Sequence, residues 1–305
     1  MKTQFQGTSL YYALSAFCAL GMNPLFAQNY AADPSSMLGP KSAGRGGATV
    51  ASENDHEAIY QNIASAGFAQ KYTVTGAYIG AGDALSVSVV DTKSGPVGGA
   101  ISYLHRELKN NLNGNTTLGD YRRNEERASG SLFGRISEEL AVGVTAKYAY
   151  RRSMTSSIAN RKSLNFDLGA KYLASPKLAF GLAGQNLMAD EGGLDLRVIH
   201  FGAELIAAPD FTLSGQISKV SMPDAASGLA LPLPDKTLSW AMGGQYKYSD
   251  FAIRAGFSDH AAWNVKIFSL GLGYVLKNFS LDYSFEKGTA SSSFYLHSVS
   301  LSAYL

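Results

Sequence analysis

The side chains in this chain best suited to metal binding or base catalysis are five histidines, His56, His105, His200, His260 and His297. They are scattered, with no pair at the spacing of metal ligands, so no metal site is read from them. Serine, histidine and aspartate are all present, which raises hydrolytic chemistry, but the strand-to-helix elbow pattern that presents a nucleophilic serine is missing. The run Gly44-Arg45-Gly46-Gly47 has the glycine density of a phosphate loop. No strand precedes it and no Lys-Ser follows, so it reads as a turn. The expectation is a non-enzymatic protein without a cofactor.

The remaining chemistry lies in charges set at alternate positions. Leu140, Val142, Val144, Ala146, Tyr148 and Tyr150 share one face of a strand, with Lys147 and Arg151 on the other. Leu164, Phe166, Leu168, Ala170 and Tyr172 oppose Asn165, Asp167 and Lys171 in the same way, and Phe279, Leu281, Tyr283 and Phe285 oppose Asp282 and Glu286. Successive side chains on a strand point to opposite faces, so each segment carries one apolar and one polar surface. If the apolar surface meets lipid, a charge there costs a few kcal/mol near the midplane. Lys147, Arg151, Asp167, Lys171, Arg254, Asp282 and Glu286 are therefore expected to face a lumen, closing it by mutual pairing or lining a narrow polar path.

The elements that would hold these residues are strands of about ten residues cut by turns. Alternation places them near 71–80, 84–91, 96–106, 127–137, 140–152, 162–173, 177–187, 195–208, 211–221, 236–248, 251–259, 264–276, 279–287 and 293–305. The joins alternate between tight ones, such as Ala174-Ser175-Pro176 and Ser249-Asp250, and longer ones, such as Glu107 to Glu126 and Met222 to Pro234. That order fits strands running down and up in an all-β, antiparallel, up-and-down transmembrane barrel of about fourteen strands, with short turns periplasmic and long loops extracellular. Composition agrees: of 305 residues only 16% are charged, 11% are aromatic, and Gly 32 outnumbers Pro 9. A net charge of +2 supplies no basic field for nucleic acid.

Residues 1–27 read as a signal peptide, with Lys2, an apolar stretch from Leu10 to Leu25, and a cleavage site at Leu25-Phe26-Ala27. Cys18, the only cysteine, lies inside it without a lipobox, so the mature chain has no disulfide. Residues 28–70 do not alternate. Ser52-Glu53-Asn54-Asp55 followed by His56 to Tyr60 reads as a capped short helix. The segment is too long for a linker and too short for a domain, and is expected to plug the barrel that spans 71–305.

Ser42-Ala43-Gly44-Arg45-Gly46-Gly47-Ala48 through Asn54-Asp55, then Ala58-Ile59-Tyr60-Gln61-Asn62-Ile63-Ala64, resembles the N-terminal segment of FadL-type and PorV-type outer-membrane barrels. In that family a Gly-Gly-Ala stretch leads to an acidic or amide pair and an aromatic-x-Asn-Pro-Ala-Gly run; Ile63 stands where proline is common. Phe180 to Leu187 and the closing segments, Ser269 to Glu286 and Ser298 to Leu305, are similar to the PorV branch. The resemblance implies fourteen strands and a plug carrying Gly44, Gly46, Gly47, Asn54, Asp55, Tyr60 and Asn62. It also implies passive uptake of small or hydrophobic compounds, with Ile59, Ile63 and Phe68 along the path, or else a secretion-linked role.

The alternative is a lumen-blocked structural barrel acting through its wall or loops. Gly181, Ala183, Gly271 and Gly273 would supply flat faces for a homo-oligomer. Arg122, Arg123 and Arg152 would meet outer-membrane lipids, lipopolysaccharide included, or a partner. Tyr304-Leu305 resembles the terminal signal read by the barrel assembly machinery.

Overall fold

The computed structural model describes residues 38–52, 56–69, 71–80, 83–110, 121–153, 160–188, 196–221, 237–260, 265–289 and 293–305. The expected leader, Asn54 and Asp55 lie outside them. Fourteen strands follow in order: β1 (Tyr72–Ile79), β2 (Ala84–Asp91), β3 (Val97–Asn110), β4 (Tyr121–Arg135), β5 (Leu140–Ser153), β6 (Arg161–Ser175), β7 (Leu178–Gln185), β8 (Arg197–Ala208), β9 (Phe211–Ser221), β10 (Leu238–Tyr248), β11 (Phe251–His260), β12 (Val265–Val275), β13 (Phe279–Thr289) and β14 (Ser293–Tyr304). Each pairs antiparallel with its sequence neighbours, and β1 pairs with β14, so the sheet closes on itself. The closing seam runs from Thr73↔Tyr304 to Tyr78↔Val299, and the Leu305 amide donates to the Tyr72 carbonyl at 2.9 Å.

Alternation decides which way each side chain points. On β12, Ile267 and Ser269 are 0% exposed while Phe268, Leu270 and Leu272 are 46–51% exposed. The outward face is apolar along the whole wall, including Val87, Ile101, Leu132, Leu168, Leu182, Ile253 and Leu301. No helix among the described residues is long and apolar enough to cross a membrane. A closed cylinder with this outer face satisfies every ladder internally and leaves no edge for lipid to solvate, which makes it a membrane-spanning barrel.

Aromatic rings mark both borders of the apolar band. Phe251, Tyr274 and Phe279 cluster at the rim of short turns, with centroids 5.2 and 6.2 Å apart, and Trp240–Phe257 and Phe285–Tyr295 pair toward the other rim at 5.3 and 5.8 Å. Trp240 and Tyr248 stand at opposite ends of β10; eight residues rise about 27 Å along a strand, or about 20 Å across a membrane at a tilt near 40°.

Two expectations need correction. The segment from Glu107 to Glu126 is strand at both ends: β3 and β4 pair as far as Asn110↔Tyr121, which puts Arg122 and Arg123 in strand. Arg152 is exposed at the corresponding end of β5. Of the expected capped helix at 52–60, the described residues form a 3-10 turn at Glu57–Tyr60, and no side chain caps it at His56.

Leu168 sits at the middle of β6 on the outer face. Leu168→Arg is expected to lower barrel stability by about 2–4 kcal/mol in reversible unfolding from lipid vesicles, whereas Leu168→Val should change it little.

Candidate functional site in the barrel lumen

Inside the wall lies an inner segment, residues 38–69, which opens with a short helix, α1 (Pro40–Gly44). The Glu57 carboxylate holds its first turn, accepting from the amides of Lys41 (2.9 Å) and Ser42 (2.7 Å). Gly46 and Gly47 end it with φ of 66° and 79°, their amides returning to the carbonyls of Ala43 and Ser42. The Gly-Arg-Gly-Gly run is thus a left-handed helix stop.

From α1 the segment follows the inner wall strand by strand. Lys41 Nζ lies 3.7 Å from Asp282 on β13 and donates to the Tyr304 hydroxyl at 3.3 Å. Arg45 forms an ion pair with Glu204 on β8, and Ser52 Oγ donates to the same carboxylate at 2.7 Å. Gln216 Oε1 on β9 accepts from the amides of Thr49 (3.2 Å) and Val50 (3.0 Å). Asn62 Nδ2 donates to the carbonyls of Val50 (2.8 Å) and Ala170 on β6 (3.0 Å). Gln185 Nε2 on β7 donates to the Tyr60 carbonyl at 2.6 Å, and Arg135 Nε on β4 donates to that of Gly67 at 2.9 Å.

The wall is cut back where the segment's backbone presses on it. Gly271 on β12 meets Gly44, Gly256 on β11 meets Gly46, and Gly243 on β10 meets Arg45, all backbone to backbone. Further round, Gly202 and Gly181 meet Val50, Gly169 meets Asn62, and Gly143 meets Ile63 and Ala64. Three pairs of these are direct cross-strand partners: Gly243↔Gly256, Gly181↔Gly202 and Gly143↔Gly169. Glycine weakens a strand unless another chain must come close, and here one does. Gly181 and Gly271 thus face inward, Ala183 is 2% exposed in the lumen, and Gly273 leaves room for Asp282 and Arg254. These four residues form no outer flat face; small side chains are needed where the inner segment and the lumenal ion pairs lie.

Apolar contacts anchor the same segment. Ile59 and Ile63 pack with Val90, Ala100 and Phe133 in a buried cluster, so they are wall anchors and do not line an open path. Phe68 lies beneath Arg135 and Lys171, whose cationic groups are 5.0 and 5.5 Å from its ring. Tyr60 bonds through its hydroxyl to Ser86, and burial raises its phenol above the usual value, so it stays neutral.

The lumenal charges fall into three groups. Glu125 is fully buried and takes Arg106 (2.9 Å), Arg127 (2.8 Å) and Arg151 (2.8 Å). Lys147 pairs with Asp167 at 2.6 Å and donates to Asn186 at 2.6 Å. Arg254 reaches across β12, over Gly273, to Asp282 at 2.9 Å. Lys171 is 1% exposed and Glu286 4%. Glu57, Glu125, Gln185, Glu204 and Gln216 carry much of this geometry but have no motif. The signal that could reveal Gln216 and Glu204 is inward parity on β9 and β8.

Toward the rim of long loops, above the Arg254–Asp282 pair and beside the Glu125 cluster, inward residues turn apolar. Ile79, Ala84, Leu104, Val265, Ile267, Phe294 and Leu296 form one buried cluster with Tyr60 against it. Between inner segment and wall, a cavity of about 20 Å³ is lined by Ile59, Tyr60, Arg127, Ser129, Lys147, Asp167 and Gln185. That is room for about one water. His200 Nδ1 and Ser218 Oγ stand 2.8 Å apart, but both are buried, and Gln216 Nε2 contacts the same ring nitrogen at 3.1 Å. A hydrolytic serine needs access and an oriented base, and this pair has no access.

Fold and lumen together define a fourteen-stranded membrane barrel filled from its N-terminal side. No protein-family model matches the sequence, and no curated protein matches it. Among solved structures, a TodX monoaromatic hydrocarbon channel carrying the ΔS2 mutation aligns with a TM-score of 0.62 at 13% identity, over 89% of this chain and 99% of that one. A Pseudomonas aeruginosa FadL homologue gives 0.59 at 12%, over 88% and 98%, and the Pseudomonas putida toluene transporter TodX gives 0.57 at 13%, over 86% and 96%. The chain has the fold of the FadL/TodX outer-membrane barrels.

Gly181→Val and Gly243→Val force a side chain into the inner segment's backbone. Each is expected to cost about 1–3 kcal/mol and to make residues 38–69 cleavable by protease while the barrel keeps its heat-modifiable migration; the wild type should resist. Glu125→Gln leaves three guanidiniums around a neutral amide and is expected to lose about 3–5 kcal/mol in vesicle unfolding.

Proposed function

We propose that the protein is a non-enzymatic barrel of the bacterial outer membrane that lets small hydrophobic compounds pass passively, with residues 28–70 as its plug. The short turns and both termini would lie in the periplasm and the long loops outside. The observation that carries this reading is the inward apolar cluster of Ile79, Leu104, Val265, Ile267, Phe294 and Leu296. A barrel for polar solutes keeps its interior polar, whereas apolar side chains turned into the lumen suit an apolar solute. Two structural neighbours, a monoaromatic hydrocarbon channel and a toluene transporter, support the same class.

The plug would work as the gate. Its polar tethers, Arg45 to Glu204 and Asn62, Gln185 and Gln216 to backbone, can exchange with water when it shifts. Arg152 on β5 and the strand positions Arg122 and Arg123 on β4 would meet lipopolysaccharide phosphates at the outer rim.

The filled lumen favours a second reading, a blocked barrel of structural role. Toluene entry into lipid vesicles separates the two. Vesicles bearing the protein should take up toluene faster than empty ones, and Arg45→Ala, which frees Glu204, should raise the rate about tenfold at most. Equal rates in all three samples overturn the transport reading and leave the structural one.

A further inference from the structure

Glu286 stands on the lumenal face of β13, 4% exposed, directly opposite Ser269 on β12 and Leu296 on β14. It has no hydrogen bond and no ion pair among the described residues, in contrast with Asp282 four residues away, which Arg254 and Lys41 neutralise. The lysines on the same two strands, Lys266 and Lys287, point out of the barrel. Beside Glu286 the hydroxyls of Ser269, its partner on β12, and of Ser284, the next inward residue on β13, are buried and also lack hydrogen-bond partners among the described residues. On its other side lie Ile267, Phe294 and Leu296, each no more than 1% exposed.

A buried carboxylate is stable when it is paired, and buried hydroxyls are normally hydrogen-bonded. One unpaired carboxylate, two unsatisfied hydroxyls and an apolar wall form a set that a particular solute would complete. A protonated primary amine offers a positive charge and three N–H donors. An apolar body attached to it would replace contacts with the Ile267, Phe294 and Leu296 side chains. A carboxylate solute of the same shape would meet Glu286 as a like charge.

We propose that Glu286, with Ser269 and Ser284, is a binding site for apolar primary amines, giving the lumen a preference for cations over anions of equal size. The proposal rests on the reading of the barrel as a passage for hydrophobic compounds and narrows its solute class.

Calorimetric titration of 2-phenylethylamine, the ammonium at neutral pH, and of phenylacetate into the protein in lipid nanodiscs tests it, with empty nanodiscs subtracted. The wild type should bind the amine at least about tenfold more tightly than the acid, and Glu286→Gln should bring the two within about twofold. Glu286→Leu, which extends the apolar wall, should act in the same direction, so the result does not hang on one variant. Toluene entry into vesicles is measured beside it for the wild type. No preference in the wild type, or a preference that survives both substitutions, overturns the site. A Glu286-dependent preference without toluene entry upholds the site and overturns the transport reading instead.

Discussion

Everything in this molecule follows from closing the sheet. A strand edge in hydrocarbon leaves amides and carbonyls with nothing to bond, at several kcal/mol each, so β1 must find β14 and the wall must have no gap. Every ladder is formed, and among the described residues the register shifts, at Leu173/Ser175 and Ile206/Ala208, sit beside the short turns. Fourteen strands give a cylinder wider than side chains alone can fill, since about eight strands already mark that limit. The interior therefore needs additional chain, and residues 38–69 supply it.

What fills the lumen is layered. Nearest the short turns, backbone lies on backbone along a belt of inward glycines. In the middle, charge is compensated across strands, as with Lys147 and Asp167 and with Arg254 spanning β12 to Asp282. Toward the long loops an apolar cluster stands beside Glu125 and its arginines. This order lets one wall hold a polypeptide by hydrogen bonds at one depth and present an oily surface at another.

The strands are legible in the sequence because lipid on one side and a polar lumen on the other impose a period of two. Lys147 and Asp167 are placed on one inner surface by parity alone, although their bond is not. Legibility stops where the lipid stops. Beyond the membrane both faces of β3 and β4 are free to be polar, so the hairpin continues past Arg106 and Glu125 to Asn110↔Tyr121 without the alternation of residue types that would announce it. The inner segment is less legible still, since its conformation answers to the wall around it: Asn62 and Tyr60 find their partners on β6 and β2, more than twenty residues away in sequence. The glycine belt has a readable trace in the inward parity of Gly143, Gly169, Gly181, Gly202, Gly243, Gly256 and Gly271. Composition hides it among the turn glycines.

The path of the inner segment also ties the two ends of the sheet together. α1 lies against β11 to β14 and the 3-10 turn at Ile63–Phe68 against β3 to β6, so the segment runs the long way round the inner wall, from one side of the seam where the last strand meets the first to the other. One short piece of chain thus leans on strands from the beginning, the middle and the end of the barrel, and a movement of any part of it is felt by wall elements far apart in sequence.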